Sequence, residues 1–274
     1  MSGWGERLSL AAGVAAAVVF SLAPFAWFAA TSLKRPVEIT AVPPAFWPSG
    51  TTEAYRSALA GHDLLRYAGN SAAVAGATTV LALLVASVAA YALARLRLRG
   101  RKVILGAVLA ASMFPQMALA GPVWRILRAL GLLNELPGLV LPYISLTLPL
   151  AIWLLASFFK DLPRELEEAA LVDGCSRPGA LLRVIAPVAA PGLFTTAILV
   201  FVYAWNEFFF ALLIMSDPSR QTLPVGIALF QGQYTMPWGE IAAASMVATL
   251  PLVVLVLVFQ RRIVRGLSAG AVKG

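Results

Sequence analysis

One cysteine and one histidine occur among the 274 residues. A disulfide scaffold needs paired cysteines and a metal centre needs several ligands, so neither is expected. Charge is scarce too: 12% of residues are charged and only 13 are acidic, against about 25% charged in a soluble domain. So few charges exclude a disordered chain and leave a soluble globule with no means of covering its surface. A membrane hydrolase would need a nucleophile beside a base, which the lone His62 in a polar loop cannot supply. An ion-coupled carrier for a small solute is the alternative reading. It would want several midplane acids or repeated halves, and the sequence offers one such acid, Glu207, and no internal repeat.

What fills the chain instead is hydrocarbon, 60% of its residues. The apolar runs cover 8–33, 67–94, 103–124, 136–159, 184–214 (interrupted by Glu207) and 241–260. A helix crosses a core of about 30 Å with roughly 20 residues. The runs are apolar all round rather than alternating, which favours helices over barrel strands. The expectation is an all-α polytopic membrane bundle of six transmembrane helices, one transmembrane domain over 1–274. The first run is longer than the 7–15 residues of a signal-peptide core, so it is read as a retained span. Pro115 and Pro122 mark the third run as the one to bend. If both termini are cytoplasmic, the inner segments carry 14 of the 21 Lys and Arg and the outer ones 7. That bias sets the orientation, and most of the net charge of +8 is topological. Of the two long outer segments, the one at 216–240 includes an apolar stretch, 223–230, that reads as a short helix or re-entrant piece.

The inner segment 160–191 is the most charged and reads as two short helices. Pro163 suits a first helical turn and Glu165 the positive end of the dipole. Gly174 follows Asp173 where a left-handed residue ends a helix. Ser176 can cap the second helix, with Arg177 and Pro178 in its first turn. Pro187 and Pro191 then end that helix and begin the fifth span. Leu166, Ala169, Ala170 and Asp173 share one face, narrow and mostly small, suited to close docking. Glu165, Glu167 and Glu168 argue against contact with an anionic leaflet and for a basic partner.

Glu168-Ala169-Ala170, then Asp173-Gly174, Arg183, Pro187 and Pro191, resemble the EAA loop of ABC-importer permeases. Cys175 and Leu181 depart from the usual alanine and phenylalanine. Asn70-Ser71, Tyr91-Ala92-Leu93-Ala94-Arg95, Met113-Phe114-Pro115, Ala204-Trp205-Asn206-Glu207-Phe208 and the tail 266–274 resemble the carbohydrate-uptake permeases, within them the MalG-type subunits of maltose and trehalose importers. The resemblance implies an ABC type I importer permease fold and a non-catalytic subunit of an ATP-driven importer of a di- or oligosaccharide such as trehalose or maltose. It implies a second permease, two cytoplasmic ATPases and an extracytoplasmic sugar-binding protein as partners. ATP and Mg2+ would bind those ATPases, with no cofactor on this chain and no nucleic acid. It places the chain in the cytoplasmic (inner) membrane with both termini cytoplasmic. It gives Glu165, Glu168, Ala169, Ala170, Asp173, Gly174, Arg183 and Pro187 to ATPase coupling. Met113, Gln116, Trp205, Asn206 and Glu207 are substrate-pathway candidates, although Glu207 is equally readable as a packing anchor. Gln231, Gln233, Tyr234 and Trp238 would form a loop toward the binding protein. The Gly-, Ser- and Ala-rich tail either reaches the ATPases or stays unstructured.

Overall fold

The computed structural model describes the backbone of residues 4–230 and 236–271, with side chains as far as 260. Helices are the only regular elements among these residues. In chain order they are α1 Trp4–Ser32, α2 Pro36–Ile39, α3 Glu53–Gly61, α4 Leu64–Arg95, α5 Arg101–Ser112, α6 Gln116–Ala129, α7 Leu136–Asp161, α8 Glu165–Val172, α9 Arg177–Ala180, α10 Ala186–Val188, α11 Ala190–Asn206, α12 Phe209–Ile214, α13 Leu223–Ala228 and α14 Trp238–Ala271. A π-helical turn, Leu181–Ile185, joins α9 to α10. Four helices, α1, α4, α7 and the part of α14 to Gln260, are long and apolar enough to cross a membrane. Two bent pairs pass the same test together, α5 with α6 and Arg177–Val188 with α11, and the number is six if each is one span.

The bend expected in the third run is present. Helices α5 and α6 meet at 89° across Met113–Pro115, because Pro115 has no N–H to continue the ladder and serves as the cap of α6. The fifth run differs from its continuous reading. It turns by 84° at Ala189, so the span proper begins at Ala190. Pro187 cannot donate to the helix before it, and the chain answers with the π turn, closed by Ala186 N–H donating to Leu181 O. A second break falls at Glu207 and Phe208, between α11 and α12.

The residues divide into two compact units. In the first (Met1–Leu65 with Gly226–Pro251), α1 is apolar all round and largely exposed. Its end is tied to segment 34–66 by Ser32 Oγ and Tyr55 Oη at 2.9 Å, and by the Gly50 and Thr51 N–H groups on Leu33 O. Lys34 is buried, its ammonium 4.5 Å from the Trp27 ring. His62, isolated in sequence, is not isolated in space. Its Nε2 lies 2.7 Å from Glu240, which also accepts from Ser57 at 2.8 Å, and its ring stacks on Phe230 at 3.9 Å.

The second unit (Arg66–Val225 with Leu252–Gly274) is organised around α7, half of whose apolar window is buried. Helix α4 presents Ala82, Ala86, Ala90 and Ala94 to it, one small residue per turn, so the two backbones approach closely. Ile152, Leu155 and Phe159 of α7 fill the layer, together with Leu181 and Ile185 of the π turn. On the opposite side Asn70 donates to Ser219 O and Gln221 O, and Ser71 Oγ accepts from Leu223 N–H at 2.8 Å, opening α13. Asn134 accepts from the Ser216 and Asp217 N–H groups, and Arg220 pairs with Glu135 at 3.3 Å. The backbone N–H of Ser219, then its hydroxyl, hold the Asp217 carboxyl below the usual carboxylate range. At Gly138 any side chain would run into the Leu132 carbonyl, so the α6–α7 turn can cross there only over glycine.

Candidate functional site

Segment 160–191 lies at the end of α7 and is built in two halves. In the first, α8 starts at Glu165, two residues later than the first-turn placement of Pro163 anticipates. The cause is visible: the Leu162 and Pro163 carbonyls, which a helix would use, accept instead from the Arg95 guanidinium at 2.9 and 3.3 Å. Leu162, ahead of proline, is extended. Helix α8 ends in a complete Schellman motif. Cys175 N–H donates to Ala170 O at 2.9 Å, Gly174 N–H donates to Leu171 O at 3.1 Å, and Gly174 has φ +83°. Ser176 Oγ then accepts from Gly179 N–H at 3.3 Å and caps α9.

The face read from spacing divides between two surfaces. Ala170 points inward and is buried, whereas Ala169 and Asp173 are exposed beside Glu165, Glu168 and Gly174. Arg183 and Pro187 are also exposed. Val172, 87% exposed, puts an isopropyl group in the middle of this acidic surface. Such a surface suits a partner groove with a basic wall and an apolar floor. Leu181 is smaller than phenylalanine but well buried, so the second half of the segment remains part of the core.

Glu167 is the acid set apart. It is 8% exposed and accepts a hydrogen bond from the Tyr91 hydroxyl at 2.6 Å. Tyr91 and Arg95 occupy consecutive turns of α4, so one helix end grips the segment at two points, side chain on side chain and guanidinium on backbone. Spacing alone does not single out Glu167 among three acids. Glu168 stands at the same offsets from Leu171 and Val172, so the sequence carries no signal that sets Glu167 apart.

The substrate-pathway candidates separate in the same way. Met113 is exposed at the α5–α6 bend. Gln116, opening α6, donates its amide to the Tyr203 hydroxyl, and Asn206, one turn further along α11, is exposed with its amide on Val202 O. Gln116 stands at the bend of α5 with α6, whereas Tyr203 and Asn206 lie in the last turn of α11, at the end of their bent pair. Tyr203 escaped the sequence reading because a single tyrosine in an apolar run carries no spacing signal. Trp205 and Glu207 turn inward instead. Trp205 is buried and stacks on Phe201 at 5.7 Å. Glu207 is buried, and its two oxygens accept from the Phe210 and Ala211 N–H groups at 3.0 and 3.2 Å. The carboxylate thereby restarts the helix after the break.

Trp238 opens α14 and is exposed, while Gln231, Gln233 and Tyr234 lie outside the described residues. Trp238, Lys34, Glu53 and Glu240 border a cavity of about 580 Å3 in the first unit. Of the tail, the backbone is helical to Ala271, and 272–274 lie outside the described residues.

Residues 54–269 match the model of a family described as "binding-protein-dependent transport system inner membrane component". Among curated proteins, the chain is 46% identical over 258 residues to the sulfoquinovosyl glycerol transport system permease protein SmoH of Agrobacterium fabrum, covering 94% of this chain and 90% of that one. It is 42% identical to the trehalose/maltose transport system permease protein MalG of Thermococcus litoralis, covering 98% of both. Among solved structures, a bacterial ABC transporter involved in import of the acidic polysaccharide alginate superposes with a TM-score of 0.78 at 22% identity, covering 95% of this chain and 98% of that one.

Proposed function

Because the chain belongs to the family of inner membrane components of binding-protein-dependent transport systems, we propose that it is the permease half of an ATP-driven importer of a di- or oligosaccharide of the trehalose or maltose type. It is a multi-pass membrane subunit without covalent chemistry of its own. Relatives named for trehalose/maltose and for sulfoquinovosyl glycerol support a glycoside substrate. The chain lies in the cytoplasmic membrane with both termini inside, consistent with its basic inner loops. Its partners are a second permease, two ATPases carrying ATP and Mg2+, and an extracytoplasmic binding protein.

The observation that carries the reading is the build of 160–191: an exposed acidic face on α8 whose buried side is gripped by α4. Closure of the ATPases on ATP moves α8. The Tyr91–Glu167 and Arg95–carbonyl contacts carry that movement into α4, and Leu181 and Ile185 carry it into the α7 core. Only such coupled, packed elements turn a local displacement into a rigid-body change. ATP binding supplies the differential energy between the two access states. Gln116, Tyr203 and Asn206 line the pathway with Met113. Trp205 and Glu207 shape it from behind, by stacking and by restarting the helix. Segment 231–238 faces the binding protein.

The test is uptake of labelled trehalose and maltose by vesicles reconstituted with all subunits. Uptake that requires internal ATP and the binding protein, and survives collapse of ion gradients, is expected. Uptake driven by a proton or sodium gradient without ATP would overturn the reading in favour of a carrier.

A further inference from the structure

A pocket of about 250 Å3 opens where the end of α4, the start of α5 and the end of α7 meet. Arg101, Lys102 and Lys160 line it, and no carboxylate does. Trp153 and Ser157 complete the wall, and small Ala156 leaves the floor hollow. Three cations therefore converge on one concavity from two helices far apart in sequence. Trp153 in the wall is 44% exposed, and Leu150, one turn before it on α7, is 42% exposed. None of these residues takes part in the grip on α8 or in the substrate pathway.

We propose that this pocket is a site for one anionic phospholipid. The phosphate sits among Arg101, Lys102 and Lys160, the Ser157 hydroxyl donates to a headgroup oxygen, and an acyl chain follows Trp153 and Leu150. A guanidinium presents paired donors to phosphate oxygens, and lysine adds point charge. Basic pockets between helices at the cytoplasmic surface are where anionic headgroups bind. A free phosphate or a soluble polyanion would satisfy the cations but leave the apolar wall without a partner, which is why the lipid is favoured. Its consequence is local. The lipid would hold the start of α5 against α7, one turn from where Arg95 grips the coupling segment. The inference rests on the cytoplasmic placement of 95–102.

The experiment is native mass spectrometry of the whole assembled transporter, equilibrated with phosphatidylglycerol or with phosphatidylcholine. The wild type is expected to retain phosphatidylglycerol on this subunit. Arg101→Gln with Lys102→Gln and Lys160→Gln is expected to weaken that retention at least about tenfold, while Arg97→Gln with Arg99→Gln, which changes basic residues outside the pocket, leaves it unchanged. Equal loss in both variants would mean diffuse surface charge and would overturn the site. So would retention that is equal for the two lipids, or displacement by inorganic phosphate alone at equal concentration. If the triple variant does not assemble, Lys160→Gln alone is read against the same controls. Because the readout is lipid bound rather than sugar moved, it stands whether or not the transport assay above succeeds.

Discussion

Uptake is expected to be abolished, at least about 100-fold below wild type, when Glu168→Arg and Gly174→Pro are combined. Insertion and membrane level remain intact. Gly174 sits at φ +83°, and proline is fixed near −65°. Proline also removes the N–H that donates to Leu171 O. The turn that ends α8 cannot then form, and α8 loses its fixed direction relative to α9. Both positions are exposed and nothing packs against Gly174, so the membrane core is spared. Glu168→Arg adds repulsion against a basic partner surface and leaves the inner contacts alone. Labelled-sugar uptake, measured beside the amount of protein in the membrane, checks this. Normal uptake by the double variant would remove 165–174 from the coupling path.

Tyr91→Phe is expected to separate ATP hydrolysis from transport. The change removes one hydroxyl and leaves the Glu167 carboxylate, 8% exposed, without the donor that holds it. A hydrogen bond to a charged group contributes about 1.5–3 kcal/mol, and an unpaired buried charge costs at least as much. The ratio of sugar moved to ATP split is therefore expected to fall about tenfold or more, while ATPase assembly is retained. Two companions distinguish a grip from general damage. Glu167→Gln keeps an acceptor for Tyr91 and is expected to be milder. Tyr91→Phe with Glu167→Leu is expected to be milder than Tyr91→Phe alone, because the orphaned charge is gone. Uptake and hydrolysis measured in the same vesicles give the ratio. If all three variants fell equally, α4 would be a scaffold rather than a transmitter.

The membrane character, the helical class and the bend at Pro115 were legible because hydrocarbon runs and proline act locally. So was the end of α8, since Asp173-Gly174 and Ser176 are punctuation whose physics needs no tertiary partner. The second break of the fifth run, at Glu207 and Phe208, was less legible. It depends on Glu207 turning back onto the Phe210 and Ala211 N–H groups, and an acid in an apolar run reads first as a ligand. The division of labour among the α8 acids was hidden for a related reason. Glu167 differs from Glu165 and Glu168 only in what lies opposite it, and that partner, Tyr91, is 76 residues away. Alanine pairs gave the wrong impression of a single docking face, because Ala169 and Ala170 are neighbours set about 100° apart around the helix and point to different surfaces.

The central claim is that the outer surface of α8 meets the ATPase. Val172, 87% exposed, offers the most direct probe. With Cys175 changed to serine, Val172→Cys leaves one thiol on that surface. In assembled transporter treated with a short bifunctional thiol reagent, using an ATPase with single cysteines along its basic cleft, a cross-link to the ATPase is expected, and its yield should change between nucleotide-free and ATP-bound states. No cross-link at any cleft position in either state, with the assembly intact, would contradict the account.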